Sequence, residues 1–479
     1  MKTCFNLMLM LIALTCGAQK QNNIWYFGNG AGMDFNEKCG PTVLTDGKID
    51  GYEGCASISD KVTGQLLFYT NSDSVWNQNH VAMPGGKLIH TGSTITQVAI
   101  VPKPGSSTKY YIITSEIQAF SGEGLRFHEV DMTLNSGLGG LTFKDSILYP
   151  TPVTEKITPI RHANGTDIWI IGHLYNSADF IAFLITASGI HTTPVVTTIG
   201  KIHYDITGID PIGEMKASPD GTKIALVTLR HPDVELLDFD KTTGILSNLI
   251  TLPENGSYDL IGNGSGLYGT AFSPSGQFLY VSKWKMPVPG SPTPGLVFQY
   301  DISSNDSATI QATRVNIFTS TSKSMYGLQL APNGKIYVAH HLSNYLSVID
   351  APDNAGTACN YMDDGLYLGG KTCSWGLNNT LDYTSCETTT QLHETTNNKS
   401  ETTIYPNPFE GNAVLEFNNE SNTSCTLTIY NCSGVVVNVI NGITGNRVLV
   451  EGKSLSPGLY FFTICAQKGI MAHGKFISK

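Results

Sequence analysis

The sequence predicts an all-β protein, a seven-bladed β-propeller with six or eight blades left open, followed by a small Ig-like β-sandwich. Three observations carry this. A glycine reversal flanked by apolar runs recurs six times, a late polar stretch separates it from a segment of short alternating strands, and the composition is that of a turn-rich chain. Of 479 residues 49 are Gly, and only 14% are charged, which suits many tight reversals better than helices. The formal charge of −10 and the absence of Lys/Arg clusters exclude a nucleic-acid-binding surface.

The first element is a leader. Lys2, the apolar run from Phe5 to Leu14 and the small-residue exit Cys16-Gly17-Ala18 predict a signal peptide over residues 1–18, cleaved after Ala18. Lipidation of Cys16 is disfavoured, because Ala13 and Thr15 stand where such signals prefer Leu and a small residue. No later stretch approaches the ~20 apolar residues of a membrane helix. A secreted or outer-cell-surface chain without a transmembrane segment is therefore expected.

Cleavage leaves Cys39, Cys55, Cys359, Cys373, Cys386, Cys425, Cys432 and Cys465 in an oxidising compartment, where disulfide pairing is the default expectation. Cys425 and Cys432 lie seven residues apart in one apparent strand, roughly 23 Å, too far to bridge each other without a bend. A bond from either to Cys465 is easier.

The propeller, residues 22–385, rests on the reversals at Gly64, Gly105, Gly165, Gly221, Gly276 and Gly334, spaced by 41, 60, 56, 55 and 58 residues. "SPDGTKIALVT", "SPSGQFLYVSK" and "APNGKIYVAHH" show the pattern most plainly. An apolar run stands on each side of the turn, so the minimal unit is a hairpin, which is not stable alone. Units of ~40 to 60 residues, each with room for four short strands, suit radially packed blades. The seventh blade is expected from both ends of the region, "NNIWYFGNG" at Asn22 to Gly30 and the stretch from Asn354 to Leu377, since closure removes open sheet edges.

The segments "IWYFGNGAGMDFN", "EGCASISD", "LLFYTNSDSVWN", "VPKPGSS" and "ACNYMDDGLYLGG" resemble the N-terminal propeller-like region of secreted proteins carrying type IX secretion signals. The turn motifs resemble those of lactonase-like (YVTN) propellers. This resemblance covers Asn22 to about Leu381 and speaks to fold and export more than to activity.

Residues 386–402, polar apart from Leu392, read as a flexible linker. Residues 403–479 then alternate as a small sandwich does. Tyr405-Pro406-Asn407-Pro408 open this segment, Leu427 to Gly434 fit "L-x-I-Y-N-x-x-G", Leu455 to Tyr460, with Gly458, fit "L-x-x-G-x-Y", and Lys475-Phe476 close it. It closely resembles the type IX (Por) C-terminal sorting domain. That resemblance implies the type IX outer-membrane machinery as a partner, removal of the domain, and release or attachment to surface polysaccharide.

A propeller's ligand site usually lies at the channel mouth, near the start of each innermost strand. Counting back from the turns places Glu53, Gln97, Lys156, Glu214, Tyr268 and Tyr326 there, a mixed ring suited to a small polar ligand or to capping the channel. Glu53 in "YEGCAS" is similar to the acid that opens the first blade of calcium-dependent lactonase propellers, so calcium is the one cation it would draw. Cys55 replaces the Pro usual after "EG", no partner ligands are identifiable, and no cofactor is expected. His340 and His341, adjacent on a predicted strand, point to opposite faces and cannot easily share an ion. "GNGAG" (Gly28 to Gly32) and "GNGSG" (Gly262 to Gly266) open no helix, which excludes a dinucleotide loop; they read as equivalent loops of two blades.

The function these observations favour is binding of a glycan, protein or surface polymer, without catalysis. A lactonase-like hydrolase using Glu53 is the alternative, and a pure scaffold would have its channel plugged by Tyr268 and Tyr326.

Overall fold

The computed structural model describes residues 19–37, 40–88, 97–115, 124–204, 212–229, 233–254, 265–285, 295–379, 381, 402–419, 421–431, 436–466 and 469–479. The leader and nearly all of the predicted linker lie outside these residues.

Seven antiparallel sheets follow one another along the chain. Sheet 1 has three strands, Ile24–Phe27, Ala31–Asp34 and Thr42–Leu44. Sheets 2, 3, 5, 6 and 7 have four strands each, and their first strands are Ala56–Ser59, Val98–Pro102, Met215–Ala217, Ser265–Phe272 and Met325–Leu330. Sheet 4 opens with Val153–Arg161 and has five. The seven sheets are the seven blades expected from the repeat.

Each predicted glycine reversal joins the first and second strands of its sheet. The six glycines share one backbone conformation, with φ between 71 and 76°, the left-handed region that costs a residue without Cβ least. In "SPDG" the Gly221 amide donates to the Ser218 carbonyl at 2.8 Å, while the Asp220 carboxylate accepts from the Thr222 amide at 3.0 Å. The same amide-to-carbonyl closure recurs from Gly276 to Ser273 and from Gly334 to Ala331, at 2.9 Å in both.

The apolar runs beside these turns are continuous because each sheet is covered on both faces. Side chains alternate across a strand: Val98, Ile100, Tyr110 and Ile112 of sheet 3 pack on sheet 2, whereas Ala99, Val101, Tyr111 and Ile113 pack on sheet 4. Equivalent clusters join sheets 4 to 5, 5 to 6 and 6 to 7. One further cluster closes the ring, placing Tyr337 and Val348 of sheet 7 with Trp25 and Phe27 of sheet 1 and Tyr69 of sheet 2.

Closure uses both ends, but differently from the expectation. Of the stretch from Asn354 to Leu377, Tyr361–Tyr367 forms the outermost strand of sheet 7. Only the following residues reach across: the Asn29 amide donates to the Thr372 carbonyl at 2.9 Å, and the Trp375 amide donates to the Tyr52 carbonyl at 2.7 Å. "GNGAG" forms the tight turn between the first two strands of sheet 1; of "GNGSG", residues 262–264 lie outside the described residues, so the expected equivalence of the two loops falls outside them too.

The disulfide expectation is corrected for four cysteines: Cys55, Cys359, Cys373 and Cys425 are free thiols, all buried. Cys373 donates to the His340 carbonyl at 2.9 Å and Cys425 to the Ile443 carbonyl at 3.1 Å. Cys465 stands opposite Thr426 rather than Cys425, which puts Cys425 and Cys465 on opposite faces of their sheet and forbids a bridge between them. Cys39, Cys386 and Cys432 lie outside the described residues.

The C-terminal unit is two packed sheets. One orders Thr403–Tyr405, Asn412–Glu416 and Arg447–Glu451; the other orders Val436–Ile443, Cys425–Tyr430, Gly458–Ala466 and Gly469–Ser478. Ala413, Leu415 and Val450 from the first meet Leu427, Ile429, Phe462, Ile464 and Phe476 from the second in one core.

Candidate functional site at the channel mouth

The innermost strands begin at one end of the channel, and five of the six ring residues interact there. Glu53 interacts electrostatically with Lys156, Glu214 and Tyr268, and the Tyr268 and Tyr326 rings meet edge to face at 5.3 Å. Gln97 immediately precedes the first strand of sheet 3, and its carbonyl accepts from the Ser115 amide. All six are buried, with exposures between 0 and 7%.

What the charged members do is visible in their partners. Glu214 Oε2 accepts from the amides of Thr270, on sheet 6, at 3.1 Å and Leu328, on sheet 7, at 3.2 Å. Its Oε1 lies 3.5 Å from Lys216 Nζ, which donates to Gln329 Oε1 at 2.8 Å. One carboxylate thus staples three blades. Lys156 Nζ donates to the Gly213 carbonyl at 3.1 Å, tying sheet 4 to sheet 5, and Ser115 Oγ donates to the Glu155 carbonyl at 3.0 Å, tying sheet 3 to sheet 4. Burial raises the Glu214 pKa, and Lys216 and the two amides only partly restore the charged form.

Glu53 differs from the other acids. Neither of its carboxylate oxygens, nor the neighbouring Tyr268 hydroxyl, makes a well-formed hydrogen bond. Burial, then the charge of Glu155, drive its pKa well above the ordinary carboxylate value; the Tyr268 phenol and Lys156 pull the other way and Glu214 pushes up again. Such a group holds a proton tightly. It is poorly suited to calcium, which wants several charged or carbonyl oxygens converging on one point, and among the described residues no three His, Cys, Asp or Glu side chains are grouped to hold a metal ion.

The sequence reading missed the aromatic residues that cover this end. Trp375 stacks on Tyr326 at 5.1 Å and stands edge-on to Tyr268 at 5.9 Å and to Tyr52 at 5.6 Å. His341 lies 5.3 Å from Tyr52 and 6.1 Å from Trp375. Tyr326 is held by the Trp284 indole N–H, 2.6 Å from its hydroxyl. Tyr52 remains 45% exposed, so the outer surface of the cap is aromatic. His340, on the opposite face of its strand, is buried with Nε2 2.7 Å from Ser347 Oγ, a satisfied structural histidine. The signal for Trp375 was its place in "CSWGL", inside the closing stretch.

A second buried group lies under sheet 4. His173 and His203 stack at 3.9 Å, and His203 Nε2 is 3.3 Å from Glu235 Oε2. Burial first, with repulsion between the two rings and from Lys156, holds the His173 pKa well below the ordinary value, and burial and Lys156 do the same to His203. The crevice beside Lys216, Pro219, Phe272 and Gln329 has no room for a water-sized molecule, so it is no ligand pocket.

In the C-terminal unit the motif residues shape the sandwich. The Tyr405 hydroxyl donates to Glu416 Oε1 at 2.7 Å, and Asn407 Oδ1 accepts from the Ile477 amide at 2.9 Å. Pro406 and Pro408 flank Asn407 in the turn that leads Phe409 into the core beside Phe476. Tyr460 stacks on Phe476 at 5.5 Å and donates to the Ser456 carbonyl at 2.6 Å. Gly458 begins that strand and Lys475 is exposed on the last one; Gly434 lies outside the described residues. Residues 403–479 match the secretion system C-terminal sorting domain family. The C-terminal unit is a sorting domain. It carries the implication of secretion or a cell-surface location and of contact with the secretion machinery.

No curated protein matches the chain. Solved structures similar to it include a protein from Lactobacillus plantarum (12% identity over 75% of this chain and 99% of that one, TM-score 0.44) and a putative 6-phosphogluconolactonase from Bacteroides fragilis (12%, 73% and 96%, TM-score 0.43). The periplasmic gluconolactonase PpgL of Pseudomonas aeruginosa is another (13%, 81% and 94%, TM-score 0.36). Among the described residues no helix is long and apolar enough to cross a membrane.

Proposed function

We propose that this chain is a sorted extracellular β-propeller that recognises a saccharide polymer at its aromatic channel mouth and performs no catalysis in the channel itself. Residues 1–18 take the precursor out of the cytoplasm, and the sorting domain engages the type IX outer-membrane machinery. The observation that carries the reading is the division of labour at the mouth. Glu214 and Lys156 are occupied in stapling neighbouring blades, Glu53 is buried beside Tyr268, and the half-exposed Tyr52 presents a ring outward beside His341 and Trp375. An aromatic face with polar neighbours suits the apolar face of a sugar ring, whereas a hydrolase needs its acid within reach of substrate and water.

Two assays separate the readings. Sedimentation with insoluble polysaccharides should retain the purified chain, and Tyr52→Ala should weaken retention about tenfold, the loss of one stacking contact. On a panel of lactones the wild type should be inactive. Hydrolysis that vanishes in Glu53→Gln would replace this reading with the lactonase-like one.

A further inference from the structure

The four sheet edges of the sorting domain are not alike. Thr403–Tyr405 is three residues long and runs into Pro406. Arg447–Glu451 carries a charge at each end, with Arg447 paired to Glu416. The far end of Gly469–Ser478 is covered by the chain's own turn, since Phe409 bridges Ser478 and Asn407 caps the Ile477 amide, and Lys475 is exposed along it. These are the devices by which proteins blunt an edge: brevity, proline, charge, cover.

Val436–Ile443 has none of these four; what it carries are two β-bulges, at Val437 and at Asn441-Gly442, where it holds one residue more than Cys425–Tyr430. It reads VVNVINGI, eight residues without a charge or a proline, and among the described residues it pairs on one side only, with Cys425–Tyr430. Its register aligns Ile440 with Leu427 and Asn438 with Ile429, which face the core, so Val439 and Val436, opposite Thr428 and Tyr430, face outward. Val436 is 49% exposed and Val439 47%. The apolar outer row continues inward, because Tyr430 stands opposite Phe461 in the next strand, and both are partly exposed. An open edge and an apolar face meet along one line.

We propose that Val436–Ile443 is the docking edge of the sorting domain, where a β-strand of the secretion machinery adds to the sheet and lays apolar side chains against Val436, Val439 and Tyr430. Strand addition takes affinity from main-chain hydrogen bonds and specificity from alternate side chains. The occupant follows from the family of this unit: a domain read by a secretion apparatus needs a reading surface, and of the four edges this one carries no charge, no proline and, among the described residues, no cover.

The test is export of the full chain from a bacterium that carries the secretion system. Val436→Lys and Val439→Lys should each lower the exported fraction several-fold and leave the chain in the cell, while Leu449→Lys, equally exposed but on the charged edge, should export as wild type does. Thermal unfolding of the purified variants separates docking from folding. Should a lysine unfold the unit, Val436→Thr with Val439→Thr keeps β-forming side chains and should still reduce export. Export of folded edge variants at the wild-type level overturns the proposal. So does a wild-type dimer, seen by sedimentation, that the lysines dissociate, since the edge would then belong to a second copy. Concentration-independent protection of the edge amides from hydrogen exchange also overturns it, by assigning the edge to the chain itself.

Discussion

The Trp375 indole lies 5.1 Å from the Tyr326 phenol with 16° between their planes, and the same residue bridges the closure through its backbone. Its amide donates to the Tyr52 carbonyl of the first blades, and its carbonyl accepts from the Gly327 amide of sheet 7 at 2.8 Å. The side chain therefore sits where the ring of blades is joined. Trp375→Ala should cost about 3 kcal/mol, the lower end for truncating a packed tryptophan because part of this one is in solvent. Trp375→Phe should recover most of that. Denaturant unfolding followed by tyrosine and tryptophan fluorescence measures both.

Glu53 gives the channel an alkaline liability. Its folded pKa is raised, so the folded state holds a proton that the unfolded chain releases, and stability present below the ordinary carboxylate value is lost as pH rises toward the folded pKa. Glu53→Gln mimics the protonated form at every pH. The variant should match the wild type near pH 4 and exceed it at pH 8, by an amount of order 1 kcal/mol or more. Melting curves at the two pH values check this; equal gains at both would show that Glu53 titrates normally.

The propeller was legible because its rule is local. Six glycines in one left-handed conformation, each after a short polar turn, must be written into the sequence wherever a tight hairpin recurs, and runs such as "KYYIIT" show no alternation because both faces are covered. Counting back from the same turns puts Glu53, Gln97, Lys156, Glu214, Tyr268 and Tyr326 near the starts of the first strands of their sheets. Their roles were not legible. That Glu214 binds two amides from other blades, and that Trp375 caps Tyr326, are contacts between residues far apart in sequence. Cysteine pairing failed on a similar point, since a compartment says that thiols can pair but only register shows Cys425 and Cys465 facing opposite ways.

An acid liability complements the alkaline one. His173 and His203 are buried as neutral rings beside Lys156, with Lys201 also near His203, Asp179 near His173, and Glu235 the acid partner of His203. Their folded pKa values are depressed, so the unfolded chain takes up protons first and stability falls as pH drops below about 6.5. His203→Gln removes one such group and should flatten the decline between pH 6.5 and 5 without changing the alkaline side. Denaturation midpoints across that range measure the slope.

The repeated glycines also separate backbone strain from steric clash. Gly221 and Gly276 share φ near +71 and +75°, but a Cβ on Gly221 would lie 2.9 Å from Ile160 Cγ2, whereas one on Gly276 meets nothing within 4 Å. Gly276→Ala therefore carries only the left-handed penalty, about 1 kcal/mol. Gly221→Ala carries the same penalty and must also displace a side chain buried between sheets 4 and 5, so it should cost about 1–3 kcal/mol more. Replacement by Asn, which tolerates this conformation, should rescue most of the loss at 276 and little of it at 221. Equal costs at the two positions would mean that Ile160 moves aside freely and that the blade interface is looser than its packing indicates.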